Sequence, residues 1–222
     1  MHLYLDTADV AELERLLPNP LVYGVTTNPT LMKRAGLGWR GLPEFVRRVE
    51  GLGARRVHVQ VRHPDAPSML DDARRYLELR GPIEVVIKLP ATRAGFTAAA
   101  ALAADGVAVT MTAVYECEQV LWSALVGARY AAPYLGRLDD AGRDGRAVVA
   151  EMETIRRGYA QGDLRLLVAS VRSREAFHDL LRIGVGAVTV PPGLFAALQD
   201  PASTAGAEAV FLADAQAVEE LP

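Results

Sequence analysis

The 222 residues are half hydrophobic, a composition that argues against a disordered chain, and carry 24 basic against 27 acidic side chains, a net charge of -3 that argues against a basic nucleic-acid-binding surface. The single cysteine has no internal partner, the most apolar stretch (94–104) is far short of the roughly 20 residues that cross a bilayer, and MHLYLDT lacks the basic start and apolar core of an export signal. A cytoplasmic globular protein with neither membrane nor nucleic-acid partner is expected, and at this length one domain suffices, since domains run to roughly 100–200 residues and barrels exceed that.

Short β-branched runs alternate with longer patterns of helical period along the whole chain. Strands are predicted at residues 2–6, 21–25, 56–61, 83–89, 107–112, 129–134, 165–169 and 186–190. Helical patterns follow them, among them ADVAELERLL, PSMLDDARRYLEL, ECEQVLWSALVGA, REAFHDLLRIG and PPGLFAAL, the last entered through prolines that suit a first helical turn. Eight such repeats predict an α/β fold, a (β/α)8 TIM barrel near the lower size limit of that class. The competing topology is a doubly wound open sheet, but no G-x-G-x-x-G follows any strand, so its dinucleotide-binding variant lacks a phosphate loop. After Asp200 the chain breaks and resumes as an amphipathic helix outside the eight units. Residues 1–222 are therefore read as a single barrel domain with 201–222 as a helical appendage, docked on the barrel or on a neighbouring subunit.

In such a barrel the carboxyl ends of the strands form the reaction face. The polar residues expected there are Asp6, then Thr26, Thr27 and Asn28, then Gln60, Lys88, Thr110 and Thr112, Tyr134 with Arg137, and Ser170 with Arg172. No histidine or cysteine cluster has metal-ligand spacing. Of the 24 basic residues 22 are arginine, leaving only Lys33 and Lys88. Lys33 lies in a polar helix end, whereas Lys88 lies in the apolar run VVIKLP, where desolvation favours the neutral amine. An ion pair with Asp6 would explain a buried cation equally well, but arginine would serve that purpose and only an amine can form an imine. Asp6 or Thr7 could cap the first helix, and Asn28-Pro29 makes a good cap and first turn. Gln60 and Tyr134 each need a partner in their apolar surroundings. Arg137, Ser170 and Arg172 follow the late strands, where barrels often hold phosphate, the alternative being a solvated rim. Cys117 sits between Glu116 and Glu118, whose charges disfavour a thiolate, and is read as structural.

The segments LYLDT, GVTTNPT, VVIKLPAT, TAVYE, ALVGARYAAPYLGRLDD and LVASVRS, in this order along nearly the whole chain, make it similar to the small transaldolase family and, within it, to the fructose-6-phosphate aldolase branch. The resemblance implies a Schiff-base nucleophile at Lys88, with Asp6 and Asn28 positioning substrate hydroxyls and assisting proton transfer. It makes Gln60, Thr112 and Tyr134 the holders of a catalytic water and Arg137 with Ser170 the phosphate site; Thr27 and Arg172 complete the substrate-binding set. It implies no cofactor, no metal, a sugar or sugar-phosphate substrate and a homo-oligomer, pentameric or decameric. Transaldolases of the family typically carry Glu at the position of Gln60 and Phe at that of Tyr134, so both positions favour cleavage to dihydroxyacetone and glyceraldehyde 3-phosphate. Transfer of the dihydroxyacetone unit between sugar phosphates is the alternative, and an inactive sugar-phosphate-binding barrel a remote one. Arg62 and His63 replace small residues expected of the aldolase branch and could narrow the pocket. In the tail, Phe211 and Asp214 are similar to the family's, but Ala215 stands where a tryptophan is usual.

Overall fold

Eight strands form near the predicted positions and close, in chain order, into one parallel barrel, which rules out the open sheet. The computed structural model describes residues 1–79, 81–159 and 162–219. Its strands are β1 (His2–Asp6), β2 (Gly24–Thr26), β3 (Arg56–Gln60), β4 (Glu84–Pro90), β5 (Val109–Val114), β6 (Tyr130–Pro133), β7 (Arg165–Val168) and β8 (Ala187–Val190). Around them lie α1 (Val10–Leu16), α2 (Pro29–Arg34), α3 (Leu42–Gly51), α4 (Ala66–Leu77), α5 (Arg93–Ala104), α6 (Cys117–Leu125), α7 (Leu135–Asp140), α8 (Gly145–Tyr159), α9 (Arg174–Ile183) and α10 (Pro192–Gln199), followed by α11 (Ala202–Glu219).

Strands covered by helices are buried on both faces, and β4 shows the consequence. Val85, Ile87 and Leu89 belong to the large core between sheet and helices, while Val86 belongs to a second cluster inside the barrel. Each such outward aliphatic contributes about 1.5–3 kcal/mol by leaving water. Period-2 alternation then turns Lys88 inward with Val86. Gly95 fixes how closely α5 follows this strand: a Cβ there would lie 1.9 Å from the Pro90 carbonyl oxygen. Within the barrel, Ala108, Ala132 and Ala187 leave room for Tyr4 and Tyr130, whose hydroxyls meet at 2.9 Å.

Two local expectations are corrected and a third is narrowed. β2 begins at Gly24 instead of residue 21, because the Asn19 side chain accepts from the Leu21 N–H (3.0 Å) and its carbonyl from Val22 (3.1 Å), bending the chain into a turn. α1 is capped by neither Asp6 nor Thr7 but by Asp9, which accepts from the N–H groups of Ala11 and Glu12 at 2.9 and 3.3 Å. The tail helix α11 forms but has no buried residue, and Val210, Phe211, Leu212 and Val218 are exposed, so it is not docked on its own barrel. The last three residues of the predicted appendage lie outside the described residues. Among the described residues no helix is long and apolar enough to cross a membrane.

Candidate active site

At the carboxyl end of the barrel a cavity of about 450 Å³ is lined by Asp6, Asn28, Lys88, Tyr134, Arg137, Ser170 and Arg172, together with residues from α2 and the ends of β7 and β8. Lys88 is 5 % exposed, and its Nζ donates to the Thr27 carbonyl at 2.8 Å. That single backbone acceptor aims the amine without adding a negative charge. Asp6 enters from β1, accepting from the Thr26 hydroxyl at 2.7 Å, and Thr26 in turn lies 2.6 Å from the Thr189 hydroxyl. Burial pushes the Asp6 carboxyl above its ordinary range, against the opposing pull of Lys88, the Thr26 hydrogen bond and Arg137. A carboxyl so placed is suited to gaining and losing a proton.

Asn28 caps α2 by accepting from the Leu31 N–H at 3.0 Å, with Pro29 in the first turn, and also lines the cavity. The capping reading of this residue holds: Oδ1 serves the helix, while the side chain also borders the cavity. Tyr134 reaches Thr112, hydroxyl to hydroxyl, at 2.7 Å. A shift of register between β5 and β6, with Ala113 at φ 56°, accompanies this pairing. Arg137 lies with its guanidinium 4.7 Å from the centre of the Tyr134 ring, a cation–π contact, and 3.5 Å from the Tyr115 hydroxyl. Ser170, at φ 60°, holds a left-handed conformation uncommon for a side-chain-bearing residue and accepts at its carbonyl from Gly136 N–H (3.0 Å). Arg172 forms a fork on Asp140 at 2.7 and 2.6 Å, so its charge is already matched at the rim.

Of the residues given a site role, three do not line this cavity. Thr27 contributes its carbonyl to Lys88, while its own hydroxyl is buried without a partner among the described residues. Thr112 is 1 % exposed and reaches the site through Tyr134. Gln60 ends β3 in register with Lys88, half-buried beside it. Arg62 and His63 do not narrow the cavity either, because buried Asp72 claims both: it accepts from the Arg62 N–H at 2.7 Å, from Arg62 Nε at 2.9 Å, and lies 3.0 Å from His63 Nδ1.

Sequence reasoning passed over Arg34, which lines the cavity with Thr30 and Leu31. Helical period places 30, 31 and 34 on one face of α2, and that signal was available once Asn28 was read as the cap. It also passed over His58, fully buried beneath Lys88, with Nδ1 3.0 Å from the Thr110 hydroxyl and the Tyr4 and Tyr130 rings at 4.9 and 5.0 Å. Burial, then Lys88 and Arg56, hold this imidazole well below its ordinary range, so the floor of the site is neutral. Cys117 fits its structural reading, with burial first and then Glu151 and Glu118 pushing its thiol up to about 11. No group of three or more His, Cys, Asp and Glu side chains able to hold a metal ion occurs among the described residues.

Comparison with known proteins agrees with this architecture. The family model described as Transaldolase/Fructose-6-phosphate aldolase matches residues 3–221. A probable transaldolase of Phenylobacterium zucineum (strain HLK1) is 35% identical over 96% of each chain, and one of Anaeromyxobacter sp. (strain K) is 36% identical over 100% of each. A third, from Ruegeria pomeroyi, is 33% identical over 99% of this chain and 98% of its own. With its closed eight-stranded barrel and a match spanning almost every residue, the chain belongs to the transaldolase/fructose-6-phosphate aldolase family and is an enzyme of the class I aldolase/transaldolase type.

Proposed function

We propose that the protein cleaves and forms fructose 6-phosphate through an imine at Lys88, releasing or accepting dihydroxyacetone. The Lys88 amine adds to the substrate ketone, and loss of water from the carbinolamine gives the iminium. Asp6 takes the proton of the hydroxyl on the carbon beyond the scissile bond. The C–C bond breaks as the aldehyde forms, and its electron pair passes into the iminium to give the enamine. Protonation of the enamine carbon and hydrolysis then return the amine and free the ketone. The iminium is the electron sink, so the cycle as written needs neither metal nor organic cofactor. In this reading Asn28 donates to a substrate hydroxyl, and Arg137 with Ser170 takes the phosphate of the aldehyde half.

The observation that carries the aldolase reading is the Tyr134 hydroxyl on the cavity wall, 2.7 Å from Thr112, placed to move a proton through water when the enamine is protonated and released. Gln60, beside Lys88, supports it by adding no second carboxylate. Transaldolase activity is the second reading, favoured by the relatives, which are named probable transaldolases. The lysine chemistry is common to both, and one experiment tests it. Incubation with dihydroxyacetone or fructose 6-phosphate followed by borohydride is expected to leave an adduct on Lys88 alone, whereas an adduct on exposed Lys33, or none with either ketose, refutes the mechanism. The exposed Val210, Phe211, Leu212 and Val218 of α11 further support a homo-oligomer in which this helix packs on a neighbouring subunit.

A further inference from the structure

The opposite mouth of the barrel, where the strands begin, is rich in positive charge. Arg56 opens β3, Arg165 opens β7 and Arg129 precedes β6, with Arg55 next to Arg56. Glu84, at the start of β4, takes both Arg56 and Arg129, the latter at 2.8 Å. Arg165 instead points Nη1 at a ring nitrogen of His2, 3.0 Å from Nε2. The His2 ring stacks on Tyr23 at 3.8 Å, and the guanidiniums of Arg55 and Arg56 lie 5.6 and 5.2 Å from the centre of the same ring. Two guanidiniums and an imidazole thus gather round one tyrosine, and a third guanidinium meets that imidazole. His2 registers the crowding: burial first, then Arg165, Arg56, the chain's amino group and Arg55 hold it down at about 4. Tyr23 and Arg55 also line a cavity of about 490 Å³, with Met1, Leu3 and residues 18–22 around it.

Stability is the ordinary role of this end of a barrel. A network built for stability alone would neutralise itself, because half-buried like charges repel and each costs free energy until paired. Here Glu84 meets only Arg56 and Arg129 among the described residues, leaving half-buried Arg165 and exposed Arg55 without a carboxylate, and the planar fork of arginine suits a phosphate. We propose that the amino-end mouth of the barrel is a second, non-catalytic site for a small phosphate-bearing anion, held by Arg55 and Arg165 beside Tyr23. It is independent of the chemistry at Lys88.

The test follows the His2 ring by ¹H–¹³C NMR while inorganic phosphate, or glycerol 1-phosphate as a phosphate ester, is added at constant ionic strength set with chloride. The His2 signal is expected to shift saturably with either probe, the tighter one naming the class of occupant, and its midpoint to rise from about 4 as the anion offsets its cationic neighbours. Arg55→Gln and Arg165→Gln are each expected to weaken binding by about tenfold or more, the scale of one charge-assisted hydrogen bond, and Arg137→Ala to leave it unchanged. If Arg165→Gln fails to fold, exposed Arg55 carries the test. A His2 signal indifferent to both probes, equally responsive to chloride, or silenced by Arg137→Ala overturns the proposal.

Discussion

Removing one oxygen atom separates the two readings of this enzyme. In Tyr134→Phe the ring keeps its edge contact with Tyr115 (5.8 Å) and its place beneath the Arg137 guanidinium (4.7 Å), so the phosphate end of the site is preserved. What disappears is the 2.7 Å contact with Thr112, whose side chain is almost fully buried and is left without that partner. An orphaned buried hydroxyl costs about 1–3 kcal/mol, or a few degrees of Tm at roughly 2–4 °C per kcal/mol for a chain of this size. The catalytic loss is larger if the hydroxyl moves protons, since a positioned acid or base contributes about 10²–10⁴-fold. Cleavage of fructose 6-phosphate, read by coupled detection of glyceraldehyde 3-phosphate, should therefore fall about a hundredfold or more. Transfer to erythrose 4-phosphate, which intercepts the enamine before it is protonated, should fall much less. Equal losses in both assays would make Tyr134 a packing residue and remove the ground for the aldolase reading. A wild type that transfers but does not cleave would establish the transaldolase reading.

Asp6→Asn should abolish turnover yet raise stability at neutral pH. The native carboxyl is pushed up by burial, so the wild type carries the cost of a buried charge above its folded pKa; that cost fades as pH falls, and the gain should vanish below about 4, where the unfolded group is protonated too. Asp72→Asn should act oppositely: burial pushes Asp72 up, but Arg62 and His63 outweigh it and hold the carboxyl below its ordinary range. Urea denaturation at neutral pH should show a loss of about 1.5–3 kcal/mol that shrinks as acid titrates the wild-type carboxyl; an undiminished loss at pH 2 would contradict the assignment. Arg137→Ala should weaken use of a phosphorylated aldehyde by about ten- to a hundredfold while sparing its unphosphorylated analogue, and Arg172→Ala, whose charge Asp140 already matches, should cost less. Light scattering at micromolar concentration should report an oligomer, and deletion of α11 should dissociate it; a wild-type monomer would refute the role given to that helix.

Composition and periodicity carried the fold a long way. Alternation in a strand such as EVVIKLP is a local property: branched residues that must face helices leave the intervening positions to face the barrel axis, and a lone lysine among them is conspicuous in a chain whose other basic residues are, Lys33 apart, all arginine. Asn28 was legible for the same reason, since capping depends on neighbours three residues away. Tertiary structure decided whatever depended on residues far apart in sequence. Asp140 takes Arg172, and Asp72 takes Arg62 and His63, so cations that look available along the chain are unequally committed in the fold. Thr112 and Tyr134 meet beside a register shift in the barrel, and Arg55, Arg56 and His2 converge on Tyr23 only when β3 and β1 flank β2. Charge and hydrogen-bond capacity are written residue by residue, but whether they are spent or left for a ligand is settled by which strands close the barrel side by side.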